Sequence, residues 1–299
     1  MMLSGFSRSV IGASHVRKNI VCQDSSGYKI TENLAIAVVA DGHGSRKHFR
    51  SHIGSQFAVQ SAIDTVNRFC SDYKRFSAEM TENHDFIIRN IEKQIIADWH
   101  RKIIEHFSEN PVSSDEMKIF TEEEFKKIPV ESYYGTTLVT AVMGKNFAFG
   151  FQIGDGSLVA VFEDGETSMI MDYEESNPAN MTASVCNRNA SSMFSHFYVD
   201  GKKVIAMFVS TDGLYTSFGS DRDFLDYHTI IASKLYDIDV FESSVVKNIT
   251  KRTHFGTEDD ISLSCIYDNV LVRSKNKILR EKMDKNKAVS GKTGIVKNK

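Results

Sequence analysis

The sequence predicts an α+β fold, a sandwich of strands with helices packed outside the sheets. Two observations carry that expectation. Short apolar runs rich in β-branched and aromatic residues recur along the chain, and three of them end in Asp-Gly. Between them lie longer stretches with apolar residues at steps of three and four, the period of a helix. These stretches come in groups, so strand and helix do not alternate as in a doubly wound sheet.

The elements follow in order. Leu34–Ala40 reads as a buried strand running into Asp41-Gly42. After Gly44, the residues Phe49, Ile53, Phe57, Ile63 and Val66 keep roughly helical spacing. Ile88, Ile91, Ile95, Trp99 and Ile103 share one face of a second helix. Ser113 with Glu116, and Thr121 with Glu124, have capping-box spacing and predict short helices before Pro129. Residues 147–153 read as a second strand, running through Gly154 into Asp155-Gly156. Residues 204–209 read as a third, running through Ser210-Thr211 into Asp212-Gly213. Helices are expected over 223–234 and 240–252. A last strand over 261–266 follows Glu258-Asp259-Asp260 directly.

A chain of 299 residues is long enough for a substantial core, and 41% apolar with 25% charged residues is ordinary for a globular protein. Residues 270–299 hold ten Lys and Arg against two acids, so the first 269 residues carry a net charge of −11. Such an acidic body is a poor nucleic-acid binder and suits a protein that gathers cations. The organisation expected is one domain over 1–268 and a basic, flexible tail over 269–299. No stretch reaches the ~18 apolar residues of a membrane span. The N-terminus lacks the pattern of a signal peptide. The cysteines at 22, 70, 186 and 265 form no CxxC pair, which argues against a disulfide framework and a cysteine zinc site and for a reduced, cytoplasmic protein.

The chemistry lies in the carboxylates. One strand ending in Asp-Gly is an ordinary turn. Three such units, with Asp259-Asp260 before another strand, place several carboxylates at strand ends, where they can meet at one edge of a sandwich. Crowded carboxylates repel one another and raise each other's pKa, a cost that a divalent cation removes. Hard oxygen donors without clustered Cys or His point to Mg²⁺ or Mn²⁺. Glycine after the aspartate lets the backbone approach closely and offers a carbonyl as ligand. His43, next to this unit, becomes a candidate proton donor to a leaving group. The sequence has no GxxxxGK[ST] loop, GxSxG elbow or HExxH pair.

These motifs resemble, in order, those of the metal-dependent serine/threonine protein phosphatases of type 2C, over most of the chain from Ile11 to Asp268. They are Gln23-Asp24, Val39-Ala40-Asp41-Gly42-His43-Gly44, Gly135-Thr136-Thr137, Ile153-Gly154-Asp155-Gly156, Ser210-Thr211-Asp212-Gly213 and Asp259-Asp260-Ile261-Ser262. The spelling Asp-Asp-Ile-Ser is closest to a bacterial branch. The resemblance implies a central β-sandwich of two antiparallel sheets flanked by helices, with a two-metal site of Mn²⁺ or Mg²⁺ at one end. It implies that Asp41 bridges the metals and Gly42 offers its carbonyl. Asp212 and Asp259 hold the second metal, Asp24 acts through metal-bound water, and Asp155 helps hold a third, weaker ion. Asp260 has an orienting role. A hydroxide bridging two cations about 3.5–4 Å apart attacks the phosphate in line, and His43 protonates the departing oxygen. The substrate implied is a phosphorylated protein, the target of a Ser/Thr kinase.

The sequence departs from the family at one point. Where the family has an arginine for the phosphate, this chain has Asn19, and Arg17 is the candidate replacement. That departure keeps open a pseudophosphatase that binds or scaffolds a phosphoprotein or kinase. A hydrolase of small phosphate esters is a third reading. Substrate selection is expected along 171–199, where the family has a flap, and along 67–129.

Overall fold

A computed structural model describes residues 1–170, 182–199 and 203–293, with side chains up to residue 286. Ten strands form two antiparallel sheets among these residues. In the first sheet the order is β1 (Leu3–Val10), β10 (Ile261–Asp268), β9 (Val204–Ser210), β6 (Ser157–Phe162) and β7 (Thr167–Met169). In the second it is β2 (Ser25–Ile30), β3 (Leu34–Ala40), β4 (Leu138–Gly144), β5 (Ala148–Ile153) and β8 (Ser195–Val199). The sandwich expected from sequence is the one observed.

The alternation of strand side chains explains the layers. In β3, Ala35, Ala37 and Val39 face the opposite sheet, where they meet Leu158, Ala160 and Val209. The intervening Leu34, Ile36 and Val38 face outward, into a second core shared with helices. Both faces are covered, so β3 reads as an unbroken apolar run although its neighbours are antiparallel. Such runs more often mark parallel sheets.

Helices cover both outer faces. Near the N-terminus lies the short α1 (Ala13–Lys18). Over the second sheet lie α2 (Ser51–Phe69) and α3 (Tyr73–Glu109), followed by α4 (Ser114–Met117), α5 (Glu122–Phe125) and α6 (Val130–Tyr133). The apolar face of α3 buries Ile88, Ile91, Ile95, Trp99 and Ile103, as its spacing predicts. Both predicted capping boxes form, Ser113 with Glu116 and Thr121 with Glu124. Over the first sheet lie α7 (Asp212–Tyr215), α8 (Asp221–Ala232), α9 (Ile238–Phe255) and α10 (Asn269–Thr293).

Helix α10 corrects one expectation. The segment read as a flexible tail is helical from Asn269 to Thr293. Val272 and Leu279 are fully buried, and the amide of Asn276 donates to the Ser233 carbonyl (2.8 Å). Composition hid this helix, because many lysines dilute a few apolar residues that share one face. Residues 294–299 lie outside the described residues, as do 171–181, the first part of the expected flap.

Candidate metal centre

Antiparallel pairing brings the carboxylates to one end of the sandwich. Strands β3 and β5 flank β4 and run the same way, so Asp41 and Asp155 leave the second sheet at the same end. In the first sheet β9 ends where β10 begins, which places Asp212 near Asp259 and Asp260. One carboxylate oxygen from each of Asp41, Asp155 and Asp212 lies within 4.8 Å of the others. They line a polar cleft of about 420 Å³ together with Gly42, His43 and Asp259.

The local sequence fixes each position. The Asp41 amide donates to Thr137 Oγ1 (3.0 Å), while the Asp41 carbonyl accepts from the Thr137 amide (2.9 Å) and Thr136 Oγ1 (2.8 Å). The two threonines thus hold the aspartate's backbone from both sides. At Gly42 a Cβ would stand 2.6 Å from the Gln23 carbonyl oxygen and 2.8 Å from that of Ser51, so no other residue fits. At Gly213, beside Asp212, a Cβ would meet the Asp260 carbonyl at 2.2 Å. Asp155 accepts from Thr182 Oγ1 (2.9 Å).

The electrostatics are those of a crowd of like charges. Burial pushes the Asp41 carboxyl well above its usual range, and the charges of Asp24, Asp212 and Asp155 push it further. Asp212 is raised to about 6 by burial and by Asp155. Asp24 is raised by burial, then eased by its hydrogen bond from Thr211. Among the described residues, Lys18 is the only Lys or Arg that lines the cleft. A cluster of convergent oxygen donors, short of cations, fits a hard divalent cation.

The pattern of the protein phosphatase 2C family matches residues 11–240. The chain belongs to that family. Among solved structures, a bacterial serine phosphatase is similar at a TM-score of 0.55 and 14% identity, over 89% of this chain and 97% of that one. The serine/threonine phosphatase Stp1 from Staphylococcus aureus is similar at 0.54 and 16%, over 90% and 96%. The serine/threonine phosphatase PstP/Ppp of Mycobacterium tuberculosis is similar at 0.53 and 14%, over 89% and 99%. No curated protein sequence matched. At these identities the structures speak for the fold, and the family pattern speaks for membership.

Several predicted site residues land apart from the triad. Asp24 is buried behind the cleft and accepts from Thr211 Oγ1 (2.7 Å). Asp260 accepts from the amides of Gly12 and Gln23, both at 2.6 Å, and lies 3.0 Å from His15 Nδ1. It therefore ties the N-terminal segment to the cleft. Arg17 does not line the cleft. Its guanidinium forks onto Glu258, a residue held at φ +62°. Burial pushes the His43 imidazole down to about 4, with the His48 and Lys47 charges adding to the effect.

Sequence reasoning missed the supporting cast: Thr136 and Thr137 in their backbone role, Thr211, Thr182, and the cleft-lining His15 and Lys18. Thr136, Thr137 and Thr211 sit inside the quoted motifs and could have been found there by asking what fixes each aspartate, whereas Thr182 lies outside them. His15 and Lys18 carry no such signal, since their place depends on how α1 packs.

Proposed function

We propose that this chain hydrolyses phosphoserine and phosphothreonine esters in proteins, with Mn²⁺ or Mg²⁺ held by Asp41, Asp155 and Asp212. Asp259 and the Gly42 carbonyl complete the donor set. The convergence of three carboxylates at one sandwich end, two of them (Asp41 and Asp212) with raised pKa, carries this reading. When bound, such ions supply a nucleophilic water at neutral pH and offset phosphoryl charge.

The chain's own groups do the rest. Asp24 holds Thr211 and so places Asp212, the next residue. Lys18, at the cleft, is the cation available to a phosphoryl oxygen, in place of Arg17. His43 stands at the cleft to protonate the departing serine or threonine oxygen. A dianionic phosphoryl group beside its ring raises its affinity for a proton, so the proton arrives with the substrate. All four cysteines are free, which supports a reducing, cytoplasmic setting. The substrates are then the targets of a Ser/Thr kinase.

The test is hydrolysis of a phosphothreonine peptide and of p-nitrophenyl phosphate by the purified chain, with Mn²⁺, with EDTA, and with Asp212→Asn. Mn²⁺-dependent turnover of the peptide, lost in the variant, is the expected result. Turnover of p-nitrophenyl phosphate alone would make it a small-ester hydrolase. No turnover, with Mn²⁺ still bound by calorimetry, would make it a pseudophosphatase.

A further inference from the structure

A second cavity, of about 640 Å³, opens between α8, α9 and α10, in the helical layer over the first sheet. Its size is that of a small-molecule site. Ser244, Asn248 and Arg252 recur every four residues along α9 and present one face to it. Tyr227 of α8 and Lys234, just past the end of α8, line the other side.

The donors here lack charged partners. Arg252 has its guanidinium 3.5 Å over the Phe218 ring and 5.5 Å from the Tyr227 ring. Its hydrogen bonds go to the Ser217 carbonyl (3.0 Å), Ser217 Oγ (3.1 Å) and Asn248 Oδ1 (2.8 Å), all neutral. Among the described residues no carboxylate pairs with it, and burial holds its pKa below the ordinary value. Among the described residues, the Lys234 ammonium donates only to the Ser244 hydroxyl. Tyr227 is 6% exposed, and its hydroxyl has no partner among the described residues.

A half-buried guanidinium without a counter-charge and a buried hydroxyl without a partner are both costly, and a bound anion relieves both. Two carboxylates line the same cavity, but each is engaged. Asp223 accepts from Ser220 Oγ (2.9 Å). Asp226 accepts from the Asn286 amide (2.6 Å) and lies 3.9 Å from Arg222 Nε. The stacked guanidinium keeps a fixed plane, the geometry that grips phosphate oxygens. Phe218, Ile230 and Met283 supply apolar wall.

We propose that this cavity binds a small phosphate-bearing molecule with an aromatic or apolar body, gripped by Arg252, Lys234 and the Tyr227 hydroxyl. The site is separate from the carboxylate cleft, where a metal-free anion is repelled.

The experiment is calorimetric titration of the full chain, without added divalent metal, using phenylphosphonate as a non-hydrolysable probe. One site is expected, with Kd in the range of about 1 mM or tighter. Tyr227→Phe should weaken it roughly tenfold and leave the melting temperature unchanged or higher, because the hydroxyl makes no bond in the free protein. Lys234→Met should weaken it by a similar factor, and Asp41→Asn, in the cleft, should have no effect. Absence of binding, binding that survives both Tyr227→Phe and Lys234→Met, or binding altered by Asp41→Asn would overturn the proposal.

Discussion

Carboxylates in this protein meet two opposite surroundings. Around Asp41, Asp155 and Asp212 the acids face one another, and Asp212 rises to about 6. In α4, Glu116 meets the buried guanidinium of Arg50 through two hydrogen bonds (2.7 and 2.9 Å) and falls to about 2. Arg50 also donates to the carbonyls of Asn110 and Pro111 and to the Tyr134 hydroxyl, so it is matched entirely from within the chain. The pair ties α4 to the start of α2. The difference separates structure from function. A charge that the fold balances itself is part of the scaffold, and a charge that the fold leaves in surplus is waiting for something from outside.

The largest effect that can break this comparison is on activity. Asp41→Asn should lower kcat/KM for a phosphothreonine peptide at saturating Mn²⁺ by at least about a hundredfold, since metal charge supplies several kcal/mol of transition-state stabilisation. Without metal the same variant should melt no lower than the parent, because it removes a carboxylate from a repelling cluster. A clear fall in melting temperature would mean that the cluster is scaffold after all.

Next comes the metal itself. Mn²⁺ at about a hundred times its Kd should stabilise the parent by about 2.7 kcal/mol. Differential scanning calorimetry of parent and Asp41→Asn, each with and without Mn²⁺, reads this directly. Equal stabilisation of both would place the cation elsewhere.

Glu116 gives the opposite case. Its folded pKa is depressed, so its contribution is complete above the usual 4.5 and is lost as pH falls from there towards about 2. Glu116→Gln should cost about 2 kcal/mol at pH 7, discounted for the part of the side chain that meets solvent. Denaturant melts of parent and variant should converge as pH drops through that window. Turnover with Mn²⁺ should be little changed at pH 7.

The same distinction explains what could be read from the sequence. The buried strands β3, β5 and β9 were legible because helices cover the outer sheet faces, which makes their cores largely apolar runs, and β10 was legible from its alternation of apolar and small polar residues. Edge strands such as β1 and β2 were not, because Leu3–Val10 and Ser25–Ile30 are half-exposed and rich in Ser and Gly. Helix α10 was hidden by its lysines. Of the site, Asp41, Gly42, His43, Asp155, Asp212 and Asp259 all reach one cleft, since β3 and β5 run the same way in one sheet and β9 ends where β10 begins in the other. Arg17 was beyond sequence reasoning. Its pairing depends on the left-handed turn at Glu258, which brings that carboxylate under α1.

Arg17 and its neighbour give the smallest effect and the sharpest one. Arg17 is satisfied by Glu258 on an exposed surface, and such a pair contributes little. Lys18 lines the acidic cleft and makes no ion pair among the described residues. If surplus charge marks function, the two adjacent cations must behave differently. Lys18→Ala should raise KM for a phosphothreonine peptide by roughly tenfold, the worth of one charge-assisted hydrogen bond to a phosphoryl oxygen, with a smaller change in kcat. Arg17→Ala should leave both constants within about twofold, in line with an exposed pair worth under about 1 kcal/mol. Lys18→Arg should recover most of the loss, since it restores the charge if not the shape. Steady-state kinetics of the three variants decide the matter. The reverse ranking, with Arg17→Ala the damaging change, would mean that Arg17 leaves Glu258 when substrate arrives.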